Sequence, residues 1–196
     1  MIYFAKVEDG FTTDKFVMSH AAKCGGVWLR NSFVDSGFTA SDFSGFNNSH
    51  TSLYALSQKQ IELIKLLPSG GLVRHPYLRA MSQFRHVMSM RYKHGQVRLD
   101  GEYVDNIKDI LQPMHKYFYL DGEQIIQHTK CEDGLDHIRN SFPCVTEWST
   151  AYHDHVDTVQ RHDVPFTIPP FVLPDWGKRW LQDTYPLDFE YFDYEL

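Results

Sequence analysis

Two short stretches of this sequence set charged, glycine and hydroxyl residues in patterns that suit phosphate binding. The first is His20-Ala21-Ala22-Lys23-Cys24-Gly25-Gly26-Val27-Trp28-Leu29, which follows the apolar run Phe16-Val17-Met18 and opens a helical pattern. A loop from a buried strand into a helix offers an anion unpaired backbone N–H groups and the positive end of the helix dipole. Glycines let the backbone approach closely, and Lys23 adds a point charge. The lysine precedes the glycines and Gly-x-x-x-x-Gly-Lys-Ser/Thr is absent, so this is not a Walker A loop. Taken alone, the same residues also describe a plain strand-to-helix corner.

The second stretch is Val73-Arg74-His75-Pro76-Tyr77-Leu78-Arg79-Ala80-Met81-Ser82-Gln83-Phe84-Arg85. Arg74 falls at the carboxyl end of a short apolar strand, where open α/β sheets bind ligands. Pro76 suits a first helical turn. Ser82 lies two turns further on, so Arg74 and Ser82 could converge on one phosphate. The plainer alternative leaves Arg74 and Arg79 solvated and Ser82 a neutral helix residue.

Proton transfer near neutral pH suits histidine. Of the eleven histidines, His50 is the first candidate, because it stands between the two stretches in the polar run Asn47-Asn48-Ser49-His50-Thr51-Ser52. It also reads as an ordinary loop histidine. Glu132 is an alternative base, but a carboxylate would need a raised pKa.

The elements that must position these groups are short. Ile2 to Val7, Phe16 to Met18 and Gly71 to Val73 read as strands with little polar alternation, which suits a parallel sheet buried on both faces. Ser57 and Gln60 have the spacing of a capping box. Ile61, Leu63, Ile64 and Leu67 then supply an apolar helical face, stopped by Pro68-Ser69-Gly70-Gly71. Tyr77 to Lys93 predicts a second helix, with Leu78, Met81, Val87, Met88 and Tyr92 inward. Val104 to Leu111 and Gly122 to Gln127 read as helical, while Pro165 to Pro174 is broken by proline. The expected fold is α/β: a short central parallel sheet flanked by helices, with a helical and loop-rich C-terminal half. Residues 1–196 are expected to form a single domain.

Composition narrows the function. A 42% hydrophobic and 15% aromatic chain of 196 residues can bury a core. No apolar run approaches the ~18 residues of a membrane span, and the N-terminal residues lack the layout of a signal peptide. Cys24, Cys131 and Cys144 show no paired spacing, which argues against a disulfide framework or a zinc site. A soluble, cytoplasmic protein is expected. A formal charge of −6 and a pI near 6.0 disfavour a general nucleic-acid binder.

Together the two stretches resemble the PAPS-dependent sulfotransferases, with the carbohydrate-type (Golgi sulfotransferase-like) branch the nearest. That family's 5′-phosphosulfate loop reads approximately His-Ile-Pro-Lys-x-Gly-Gly-Thr-Ser-Leu, which His20 to Leu29 follow with two changes. Ala22 replaces a proline, and Val27 replaces a threonine whose hydroxyl contacts the 5′ phosphate. Trp28-Leu29 looks more like the cytosolic branch. The 3′-phosphate motif, approximately Val-Arg-Asn/Asp-Pro-x-x-Arg-x-x-Ser-x-Tyr/Phe, matches Val73 to Phe84 at every fixed position except His75. Asp188-Phe189-Glu190-Tyr191-Phe192-Asp193-Tyr194 is similar to the family's C-terminal Asp-Phe-Glu-x-Phe-Gly-Tyr, and Lys130-Cys131-Glu132-Asp133 loosely resembles its Arg-Tyr-Glu-Asp.

The resemblance implies a P-loop-like core that binds 3′-phosphoadenosine 5′-phosphosulfate (PAPS). It implies transfer of the sulfuryl group to a hydroxyl or amine of an acceptor, releasing PAP, with no metal. Lys23 would neutralise the leaving phosphate. Lys23, Cys24, Gly25, Gly26, Val27 and Trp28 would bind the 5′ phosphate, and Arg74 and Ser82 the 3′ phosphate. His50 stands where the family often places its catalytic base, while His20 would support the loop and His75 would face the 3′ phosphate or ribose. The C-terminal match makes Asp188 to Tyr194 a helix closing the core, with Phe189 and Phe192 inward. Lys178-Arg179 is a further cofactor candidate. A non-catalytic nucleotide- or phosphate-binding module and an ATP-dependent phosphotransferase are the competing functions. The acceptor is open among glycan, small molecule and peptide. Arg85, Arg91, Lys93, His94 and Arg98 form either a basic strip for a glycan or a solvated helix face. His153, His155 and His162, with Asp154, Arg161 and Asp163, read as an acceptor-facing loop or solvated surface rather than as metal ligands.

Overall fold

The computed structural model describes residues 1–43, 50–93 (backbone only over 87–93), 112–150 and 173–196. The chain divides into two compact units, Met1–Arg74 with Pro113–Tyr152, and His75–Gln112 with His153–Leu196.

The first unit is built on a five-stranded sheet. Its strands are β1 (Ile2–Glu8), β2 (Phe11–Ser19), β3 (Thr39–Asp42), β4 (Ser69–Val73) and β7 (Gln127–Lys130), in the order β3-β1-β2-β4-β7. The sheet is mixed, which corrects the expectation of a parallel one. β1 runs antiparallel to both β2 and β3, while β2, β4 and β7 are mutually parallel. The cause is a tight hairpin. Asp9 and Gly10 both adopt positive φ (51° and 81°), the backbone of a two-residue turn whose twist matches paired strands. Phe16-Val17-Met18 is only the buried end of the nine-residue β2, whose first five residues are exposed.

A second hairpin joins β5 (Tyr119–Leu120) to β6 (Glu123–Gln124) through Asp121 and Gly122, with φ of 49° and 87°. Gly122 to Gln127 is therefore not helical, because an Asp-Gly turn imposes left-handed backbone that a helix excludes. The same segment then enters β7, so the C-terminal half contributes a strand to the main sheet.

Helix α1 (Gly26–Asp35) packs Phe33 onto the sheet, stacked on Phe4 at 4.4 Å and tilted against Phe16 at 4.9 Å. Phe142, just after α4 (Leu135–Ser141), closes the cluster at 5.9 Å from Phe16. Each such buried aromatic contributes about 2–3 kcal/mol through area alone. Helix α2 (Gln58–Leu66) begins at the expected capping box. Ser57 Oγ accepts from Gln60 N at 3.4 Å, and Gln60 Oε1 accepts from Ser57 N at 2.9 Å. Ile61 and Ile64 are its buried face. Ser69, Gly70 and Gly71 do more than end α2: they form β4. Side chains at 70 and 71 would meet Phe142, Phe16 and the Ser19 carbonyl.

The second unit holds α3 (Pro76–Lys93), α5 (Asp175–Thr184) and α6 (Pro186–Glu190). Ala80, Leu173, Leu181, Tyr185 and Phe189 form its core, with Tyr77, Met81 and Phe84 packed on it. Phe189 and Phe192 are buried. Inside this unit Arg79 and Asp188 are each only about 2% exposed and form an ion pair at 3.8 Å. Arg79 Nη2 also donates to the Gln112 carbonyl at 2.9 Å, so Arg79 is not a solvated helix residue. Arg85 is likewise buried, which removes it from a basic surface strip.

Val104 to Leu111, the side chains of Val87, Met88, Arg91, Tyr92 and Lys93, residues His94 and Arg98, and the stretch from His153 to Asp163 lie outside the described residues. So does all but the end of Pro165 to Pro174. Among the described residues, no helix is long and apolar enough to cross a membrane. All three cysteines are free.

Candidate functional site

The loop between β2 and α1 leaves the sheet at the carboxyl end of a parallel strand. Ser19 is paired with Gly71, so the ends of β2 and β4 lie side by side. Two residues of the loop are left-handed: Lys23 at φ 67° and Gly25 at φ 76°, the latter forming the N-cap of α1. A non-glycine residue held there stores strain, and left-handed residues leading into a helix turn successive N–H groups toward one concavity. No side chain caps α1, and no acid lies in its first turn. The first bond of the helix is Leu29 N to Gly25 O at 3.1 Å, so the N–H groups of Gly26 and Val27 have no acceptor within it. The corner therefore has an open, positively polarised N-terminus.

Arg74 comes one residue after β4. The pairing of Val73 with Lys130 carries Arg74 to the level of Cys131, and alternation places it on the face of Leu72. That face meets the loop: a side chain at Gly25 would touch Leu72 Cδ1 at 3.2 Å and Cys131 Sγ at 3.9 Å. Arg74 is only 4% exposed, and no hydrogen bond or ion pair holds its guanidinium among the described residues. The Cys131 thiol cannot serve as counter-ion, because burial raises its pKa well above 9 despite the opposing charge of Arg74. Cys131 Sγ instead donates to the Cys24 carbonyl at 3.4 Å, tying the loop to the residue after β7. A buried cation beside an open helix N-terminus is an arrangement that an anion completes.

The rest of the corner is fixed from behind. Trp28 Nε1 donates to the Ser149 carbonyl at 2.9 Å, and its indole stacks on Trp148 at 5.1 Å. Ser32 Oγ accepts from Ser149 N at 3.0 Å, and Ser36 Oγ accepts from Glu147 N at 2.8 Å. Cys24 Sγ lies 3.5 Å from Met114 Sδ. Val27, in contrast, is 57% exposed at the helix's leading turn. Lys23 is half-buried.

His50 stands at this corner. Its Nδ1 is 2.9 Å from the His20 carbonyl oxygen, and the two rings are 4.3 Å apart. A carbonyl only accepts, so Nδ1 carries the proton and donates. Whenever the ring is neutral, its lone pair is therefore on Nε2, the form a general base requires. His20 itself is buried, and burial first, then the positive charges of His50, the N-terminal amine, Arg30 and Lys23, lower its pKa to about 3. It stays neutral and is no base at physiological pH. Glu132 is exposed immediately after Cys131.

Lys23, Cys24, Gly25, Gly26, Val27, Trp28, His50 and Arg74 thus all belong to the first unit. Ser82 belongs to the second, half-buried on α3. His75 opens that helix: its Nδ1 accepts from Tyr77 N at 3.2 Å, and its ring lies 4.9 Å from Tyr194 and 4.7 Å from Tyr77. It is a helix cap in an aromatic setting. Lys178 pairs with Asp175 at 3.4 Å, one turn back on α5. Sequence reasoning missed the Arg79–Asp188 pair and the Trp148–Ser149 support, which join residues more than 100 positions apart and leave no local pattern. No family model, curated protein or solved structure matches the chain.

Proposed function

We propose that this protein is a sulfotransferase that takes PAPS as donor and a hydroxyl or amine of a small molecule or carbohydrate as acceptor. The observation that carries the reading is Arg74, a residue only 4% exposed and without a hydrogen-bond partner among the described residues, at the carboxyl end of β4 on the face of the open N-terminus of α1. In this reading the β2–loop–α1 corner acts as a P-loop-like cradle for the 5′ phosphate. Lys23 neutralises the charge that grows on that phosphate as its bond to sulfur breaks. Arg74 holds the 3′ phosphate. The acceptor oxygen forms the new bond to sulfur while its proton passes to His50 Nε2. Transfers of this kind depend mainly on positioning and on charge stabilisation.

A second reading, a phosphate-binding module without catalysis, draws on Val27, which brings no hydroxyl to the loop. An ATP-dependent phosphotransferase ranks below both, since the loop lacks the Walker lysine position. Thermal shift with PAP, PAPS and ATP separates the three, with stabilisation by PAP and PAPS but not ATP expected. Absence of any PAP effect removes the leading reading. If PAP binds, labelled sulfate transfer to an acceptor panel is expected from the wild type and not from His50→Ala. PAP binding by the wild type without any transfer favours the module.

A further inference from the structure

His20 has features that packing alone does not require. It is the first residue after β2 and is 5% exposed. Its ring occupies the space where a side chain on Gly26 would lie, with Cδ2 and Nε2 nearest the position a β-carbon there would take. Side chains on a helix tilt toward its N-terminus, so the Nε2 edge of His20 lies at the N-terminal end of α1. Neither ring nitrogen makes a hydrogen bond among the described residues, and Nδ1 is wholly enclosed. A phenylalanine would fill this space without burying the unpaired Nδ1. Unpaired buried polar atoms persist where a function or a ligand uses them. Meanwhile the exposed Val27, next to Gly26, supplies no side-chain donor.

We infer that His20 is a ligand-binding residue, its Nε2–H donating to an anionic oxygen held at the N-terminus of α1 in place of a hydroxyl at position 27. The inference rests on the reading of this corner as a phosphate site. As a neutral donor, His20 adds direction without adding charge beside Lys23. Its carbonyl holds His50 at the same time, so one residue serves both the anion and the base.

The test is calorimetric binding of PAP to wild type, His20→Phe, His20→Gln and His20→Phe/Val27→Thr, with imidazole ¹⁵N spectra of the wild type alongside. Loss of one hydrogen bond to a charged oxygen predicts that His20→Phe binds about tenfold or more weakly. His20→Gln, which keeps a side-chain N–H, and Val27→Thr in the Phe background should each recover part of the affinity. Saturating PAP should shift the His20 ring nitrogens of the wild type. Equal PAP affinity in wild type and His20→Phe overturns the inference and leaves the phosphate site standing. If His20→Phe does not fold, unshifted His20 nitrogens at saturating PAP overturn it instead. If the wild type binds no PAP, the phosphate site itself falls and the inference with it.

Discussion

Replacing Arg74 with methionine should stabilise the ligand-free protein while weakening its hold on PAP. The guanidinium is 4% exposed and has no acceptor among the described residues, and the adjacent Cys131 thiol is kept neutral. An unpaired buried charge costs several kcal/mol even after relaxation. The small remaining exposure admits some solvent, so about 1–3 kcal/mol is recoverable by Arg74→Met, which keeps most of the aliphatic packing. For a chain of this length each kcal/mol is worth about 2–4 °C, so the ligand-free melting temperature should rise by about 2–12 °C. In a PAP complex the same guanidinium would make charge-assisted bonds worth about 1.5–3 kcal/mol, so PAP affinity should fall about ten- to a hundredfold. Differential scanning calorimetry with and without PAP reads both effects. A lower melting temperature with unchanged PAP affinity would refute the reasoning, because it would make Arg74 a structural residue with a partner.

Gly26→Ala should cost about 1–3 kcal/mol in urea unfolding, because the new methyl overlaps the His20 ring, and should weaken PAP binding as the loop shifts. Stability should also depend on pH through His20. Its pKa of about 3 in the fold lies below the ~6.5 of an unfolded chain, so its contribution is complete above pH ~6.5 and declines as the pH falls toward 3. The slope is about 1.4 kcal/mol per pH unit for one proton; His20→Phe should flatten it, and identical profiles would contradict the assignment. Asp188→Asn should cost about 3–5 kcal/mol by leaving the buried Arg79 charge without its carboxylate, whereas Arg79→Met/Asp188→Leu should lie close to wild type. A urea double-mutant cycle measures this.

The local features of the fold were legible where short-range rules decide. The Ser57–Gln60 capping box, the start of α3 near Pro76, the strand ending at Val73 and the corner at Gly25-Gly26 all follow from nearest-neighbour chemistry. Sheet direction was not legible from the apolar run Ile2 to Val7, since a buried strand looks alike in either orientation. The Asp9-Gly10 and Asp121-Gly122 pairs held the needed signal, a tight turn, and outweighed the helical look of the residues after Gly122. At the candidate site, the two motifs pointed to Lys23, Arg74 and the glycines. What they could not give was burial. The isolation of Arg74 and the wedging of His20 over Gly26 arise only when β4, β7 and the loop come together.

The stacked Trp28–Trp148 pair gives the candidate site an optical reporter. Of the chain's four tryptophans, these two belong to the first unit, and Trp176 and Trp180 stand on α5 in the second. Indoles 5.1 Å apart and nearly parallel couple their electronic transitions and give a split circular-dichroism band that isolated indoles lack. Trp28 is the third residue of α1, so charge arriving at the helix N-terminus would act on its transition directly. Occupancy can thus be followed in the unlabelled protein, with Trp28→Phe as the dark control.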